Sequence, residues 1–299
     1  MRYSISDLEQ LSGVQTHTIR IWERRYHALE PSRSAGNTRF YDDQQLKRLL
    51  NIVGLNKSGL KISQACALSN QEMDALLDQQ IKATVAEDEH FEYYISQMLK
   101  HGISYSEFHF DELITAGIEH YGLNKMYKYV LYPLLVRLGL MWRRDQLCPA
   151  QEHFIVNMIR QKLYKAIDEI PVLSSLAPSW LLFLPEDEDH DIGLLFAHYM
   201  LKSAGQKVIF LGSKVPLDSL TDAMNNKNIT QLLFFIVRLK PRHEINQYLN
   251  ELSARFADVK IRIAGDGKII QELELPSNVS WFQSIEEFEH LITKIKHAN

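Results

Sequence analysis

Two sets of side chains in this 299-residue sequence have types and spacing suited to ligand chemistry. The first lies in "QTHTIRIWERRY", where helical spacing turns Ile19 and Trp22 inward and Thr16, His17, Arg20 and Arg24 outward. The preceding "SGV" (Ser12–Val14) makes a tight turn. A helix entered from a glycine turn, with Thr and Arg on its outer face, suits the major groove, where Arg reads guanine edges and phosphates. The loop "PSRSAGNTRFY" follows and can set Arg33 and Arg39 on the nucleic-acid backbone. The second set is Glu188-Asp189-His190-Asp191-Ile192-Gly193, just after a short apolar run, together with Trp142 and, after nine residues, Glu152-His153. On its own, His190 reads as a loop histidine bonded to a neighbour, and Trp142 as bundle core. There is no P-loop, no Ser-His-Asp or Cys-His arrangement, and no ligand cluster beyond His190, so a catalytic role is not expected.

The elements that must hold these residues fall into three segments. The first, 1–75, contains short helices interrupted by the Arg-containing loop, a winged helix-turn-helix pattern. Ser4 or Ser6 can cap its first helix, with Leu8 and Leu11 on the apolar face. The second, 76–172, is helical in period, and "FEYYISQMLKHGI", "FDELITAGIEHYGL", "MYKYVLYPLLVRLGLMW" and "EHFIVNMIRQKLYKAI" suggest a four-helix bundle. The third, 176–299, alternates buried strands ("SWLLFLPE", "KVIFLG", "QLLFFIV", "KIRIAG", "VSWFQS") with helices, the signature of a doubly wound, Rossmann-like parallel sheet. "PVLSSLAP" (Pro171–Pro178) reads as the linker. The expected fold is therefore multidomain, α followed by α/β. In such a sheet the Glu188–Gly193 loop sits at the carboxyl end of a strand, where these folds place ligands.

Composition agrees with a globular chain: 45% hydrophobic and 23% charged. No apolar stretch reaches a membrane span and no leader opens the sequence, so a cytoplasmic protein is expected. Cys66 and Cys148 are too far apart in sequence to suggest a disulfide framework or zinc site. The net charge of −4 is unevenly spread. Residues 1–61 carry ten Lys/Arg against six Asp/Glu, and the remainder 23 against 31. A basic head on an acidic body is expected when only one domain meets phosphate.

The head resembles the MerR family, on the strength of Tyr3-Ser4-Ile5, the Gly13-Val14 turn, "IWERRYHAL", Asn37-Thr38-Arg39-Phe40-Tyr41 and the two helices that follow. The resemblance implies DNA contacts from Thr18, Arg20, Arg24, Arg25 and Tyr26, with Arg33, Arg39 and Tyr41 in the wing, and a homo-oligomer on promoter inverted repeats. The rest of the chain is similar to a cobalamin-binding module, and the whole to light-responsive MerR regulators of the CarA/CarH type. That likeness implies His190 as the lower axial ligand of cobalt and Glu188 as the acceptor orienting its ring. It also implies Trp142, Glu152 and His153 as a cover over the upper face, with Gly193 and Gly265 at the cofactor. Adenosylcobalamin or methylcobalamin is the implied cofactor, the assembly a dimer or tetramer, and an antirepressor protein a possible partner.

Three departures stand out. Phe235-Ile236-Val237 replaces the hydroxyl-bearing motif that receives the nucleotide tail in cobalamin domains. Ala264-Gly265 replaces a glycine pair. Arg143 follows Trp142 where the photosensing proteins carry a His, and a guanidinium does not ligate cobalt. The expected function is thus a DNA-binding regulator under a corrinoid sensor. The alternatives are the same regulator answering a protein or another ligand, and, more remotely, a corrinoid carrier in methyl transfer.

Overall fold

The computed structural model describes residues 2–33, 37–57, 59–83, 91–142, 147–172, 179–225 and 229–298. The chain divides into two compact units, Met1–Ile159 and Arg160–Asn299. Among the described residues, no helix is long and apolar enough to cross a membrane.

The first unit opens with α1 (Ile5–Ser12) and α2 (Thr16–Tyr26), then a two-stranded wing, β1 (Ser32–Arg33) and β2 (Arg39–Phe40). Helices α3 (Asp43–Lys57), α4 (Ile62–Ala67) and α5 (Asn70–Ala83) complete the head. Ser4 caps α1: its hydroxyl accepts from the Asp7 amide while the Asp7 carboxylate accepts from the Ser4 amide. Gly13, at φ 70°, ends the same helix in the left-handed conformation that glycine adopts without strain. Leu8, Leu11, Ile19, Leu46, Leu49 and Leu50 form the buried core of the head. The bundle helices follow: α6 (Phe91–Ile103), α7 (Glu107–Met126, kinked at Gly122), α8 (Tyr132–Trp142, entered through a π-helical turn, Tyr127–Leu131) and α9 (Pro149–Asp168).

Head and bundle, distinct in pattern, lie in the same compact unit, and α9 runs across the boundary into the second. The physical reason is a close approach of α3 to α6. Gln97 donates to the Leu50 carbonyl at 3.3 Å within the interior, and a side chain at Gly54 would come within 2.5 Å of the Gln97 amide. The expected linker lies outside the described residues from 173 onward.

The second unit is an open sheet of β3 (Trp180–Pro185), β4 (Val208–Val215), β5 (Gln231–Ile236), β6 (Lys260–Gly265) and β7 (Val279–Trp281). All neighbours pair in parallel, in the order β4-β3-β5-β6-β7. The intervening helices are α10 (Ile192–Ser203), α11 (Leu217–Asn225), α12 (Arg242–Arg255), the short α13 (Gly267–Ile270) and α14 (Ile285–Ala298). Every expected strand is present; β3 and β5, the continuous apolar runs, are buried along nearly their whole length, whereas β4, β6 and β7 are only partly buried. One core layer joins Leu181, Phe183, Leu232 and Phe234 to Leu220, Leu249 and Leu252. The order reverses at β3, so the loops after β3 and β5 flank the switch point, where open parallel sheets bind ligands.

Candidate nucleic-acid interface and ligand loop

Helix α2 turns Ile19 fully into the core and leaves Arg20, Arg24 and Arg25 exposed. The wing pairs Arg33 directly opposite Arg39, so both arginines stand at one level of the hairpin. Arg33 donates to the Asn37 side chain at 2.5 Å, and Asn37, at φ 61°, takes the left-handed position of the wing turn. Arg20 and Arg24 from the helix and Arg33 and Arg39 from the wing line one open groove with His17. Four guanidiniums around one concavity make a site for a polyanion. Thr18 lies half-buried with its hydroxyl 3.3 Å from His17 Nε2, and Tyr26 lies under the Arg25 guanidinium, 5.8 Å from the ring centre.

Two of the expected contact residues also join elements of the head. Tyr41 is fully buried, and its hydroxyl donates to Glu23. Burial and the Glu23 carboxylate push that hydroxyl's pKa well above its ordinary value, so it stays a donor. Tyr41 therefore ties the wing to α2 rather than facing DNA. The Thr16 hydroxyl donates to Glu9, which anchors the start of α2 to α1. Glu23 was not singled out from the sequence. It accepts from Tyr41 and lies 3.7 Å from the Arg39 guanidinium, joining helix to wing. The available signal was that Glu23 is the sole acid in "THTIRIWERRY". Arg2, stacked 4.6 Å over Phe40 of the wing, was also missed.

In the second unit the loop after β3 is built around one buried carboxylate. Glu188 is 4% exposed. Its Oε1 accepts from the Asp189 amide (3.0 Å), the His190 amide (3.1 Å) and His190 Nδ1 (2.5 Å). Its Oε2 accepts from the Val237 and Arg238 amides at 2.9 and 2.7 Å. Burial alone would raise this carboxyl's pKa, but the His190 ring and the backbone donors outweigh it and hold it at about 2. The carboxylate is therefore ionised and accepts only, so Nδ1 of His190 carries the proton and Nε2 is the atom the ring can offer a metal. The ring itself is half exposed. Asp191, next along, is held by Arg160 at 2.8 and 3.0 Å.

The two glycines have packing reasons. A side chain at Gly193 would come within 2.6 Å of the Phe235 ring, which is seated on it. Gly265, at φ 131°, would drive a side chain to 2.0 Å from the Ile236 carbonyl, so only glycine fits at the end of β6. In the first unit Trp142 ends α8, and Glu152 lies in the first turn of α9 with His153 next along, Glu152 half-buried and His153 exposed. Arg143 lies outside the described residues.

A basic groove between a recognition helix and a wing, ahead of a bundle and a doubly wound sheet, defines a DNA-binding transcription regulator. Residues 3–71 match the MerR HTH family regulatory protein description. The chain is 31% identical over 224 residues to the HTH-type transcriptional repressor CarH of Myxococcus xanthus, covering 74% of each protein. It is 26% identical over 269 residues to the repressor CarA of the same organism, covering 89% of this chain and 88% of CarA. The monomethylamine corrinoid protein of Methanosarcina barkeri shares the fold, with a TM-score of 0.53 at 14% identity, over 73% of this chain and 99% of that one. The chain belongs to the MerR family of transcriptional regulators, in the group of CarH.

Proposed function

We propose that this protein represses the promoter it binds, that it does so as a homo-oligomer of at least two copies, and that a corrinoid controls it through His190. It acts in the cytoplasm and without catalysis. One head offers few phosphate contacts, and two heads on paired half-sites multiply the affinity. The names of CarH and CarA support repression.

The corrinoid reading is carried by one observation. An imidazole is held by a buried, ionised carboxylate at the switch point of a parallel sheet. When bound, a corrinoid would supply a cobalt centre that takes a nitrogen donor, and His190 would be the residue to offer one. Glu188 accepts from Nδ1–H of His190, which makes Nε2 the acceptor nitrogen of the neutral ring and fixes the ring direction, as a carboxylate behind a metal-bound histidine does. The donor set fits the group. Phe235, which stands where cobalamin domains carry a hydroxyl, is seated on Gly193. The resemblance to CarH-type regulators assigns the covering role to Trp142, Glu152 and His153. A ligand regulates such a protein by binding one assembly state more tightly than the other.

Purifying the full chain in the dark with adenosylcobalamin, and separately with methylcobalamin, tests this and separates the two forms. Visible absorbance should co-elute with the protein in at least one arm and vanish in His190→Ala. Colourless protein in both arms would overturn the corrinoid reading and leave the DNA-binding head untouched.

A further inference from the structure

Helix α1 has a capped N-terminus but no basic residue of its own in its last turn. A helix C-terminus carries unpaired carbonyls and the negative end of the dipole, and it favours a cation there. In this protein the cation arrives from the bundle. Arg137 of α8 donates through Nη1 to the Leu11 carbonyl at 3.3 Å, across 126 positions of sequence. The same guanidinium grips Glu92, in the first turn of α6, through two parallel bonds of 2.7 Å. Both side chains are largely withdrawn from solvent, at 15% and 25% exposure.

The turn itself is shaped for this approach. A side chain at Gly13 would stand 3.3 Å from Arg137 Nη2 and 3.4 Å from the Glu92 carboxylate. Gly13 is thus needed twice, for its φ of 70° and for the guanidinium beside it. What holds the end of α1 also holds the start of α2. The Ser12 hydroxyl accepts from the Val14 amide at 3.2 Å, and Thr16 donates back to Glu9. Arg137 does not line the basic groove.

We infer that Arg137 is a positioning residue for DNA binding: from the bundle, it fixes the turn of the helix-turn-helix and so the direction in which α2 presents Arg20 and Arg24. It acts through α1, not on phosphate.

The test is a titration of the full chain against a duplex from the region upstream of its own coding sequence, at several salt concentrations. Arg137→Gln should weaken binding about tenfold while leaving the slope of log affinity against log salt unchanged, since no phosphate contact is lost. Arg137→Lys, which keeps the charge and a donor for the Leu11 carbonyl, should stay within about threefold of the parent. Glu92→Gln, which loosens the guanidinium without removing it, should weaken binding in the same direction by less, and it serves if Arg137→Gln does not fold. A purely structural role would lower the melting temperature and leave the affinity of the folded protein intact. Parent-level affinity in Arg137→Gln, or in Glu92→Gln if the first variant is not folded, overturns the inference. A salt slope reduced by about one overturns it too, because that is the mark of a phosphate contact.

Discussion

On the recognition helix Arg20, Arg24 and Arg25 stand exposed to solvent, whereas the Glu188 carboxylate that accepts from the His190 ring is 4% exposed and has donors on both oxygens. The difference follows from the partner each region meets. A polyanion is attracted over several ångströms and is gripped by many weak, replaceable contacts, so charge in the head can stay solvated and mobile. A ligand held through a single ring nitrogen needs that nitrogen aimed, and aim comes from saturated hydrogen bonds in a region that excludes water. The head is built for summed attraction, the loop after β3 for direction.

Breaking that comparison at its rigid side should have the largest effect. Glu188→Gln replaces one acceptor oxygen by a donor facing amides that themselves donate, and should lower unfolding stability by roughly 2–3 kcal/mol in denaturant titration. The pH dependence has a definite sign. With its carboxyl depressed to about 2 in the folded protein, Glu188 contributes stability that is fully present above its ordinary titration range and is lost as pH falls through that range toward 2. The parent should therefore lose stability on acidification more steeply than Glu188→Gln. Parallel acid profiles would mean that the carboxylate is not the fixed point of the loop.

The exposed side should respond differently. Arg24→Ala should weaken operator binding about tenfold, or about 1.4 kcal/mol, and reduce the salt slope by about one. Its folding stability should stay within about 0.5 kcal/mol of the parent, as for exposed charges generally. Unchanged affinity, or a stability loss like that of Glu188→Gln, would erase the distinction between the two regions.

Much of this was legible in the sequence where the signal is local. The glycine turn, the period of "QTHTIRIWERRY" and the paired arginines of the wing gave the head, because helix faces and hairpins depend on near neighbours. The short apolar segments alternating with helical period gave the five parallel strands, of which β3 and β5 are continuous apolar runs. The pairing of Glu188 with His190 was implied by the resemblance to cobalamin-binding regulators. That Glu188 also holds the Val237 and Arg238 amides was not, since those bonds span 49 and 50 positions. Tyr41 was misread for the same reason. It pairs with Tyr3 across the head and reaches Glu23, and nothing beside it in sequence distinguishes a buried wing tyrosine from an exposed one. Arg137 looks like a single charge in the apolar helix "YPLLVRLGLMW", and its purpose appears only when α1 is set beside it.

The central claim joins the two regions: DNA is held at the arginine groove and sensing occurs at His190. The most direct measurement is the affinity of the full chain for its upstream duplex with and without adenosylcobalamin, for the parent and for His190→Ala. The account predicts that the ligand shifts the parent's affinity and that His190→Ala binds DNA with one affinity in both conditions. An identical affinity with and without the ligand in the parent, or a shift that survives in His190→Ala, would contradict it.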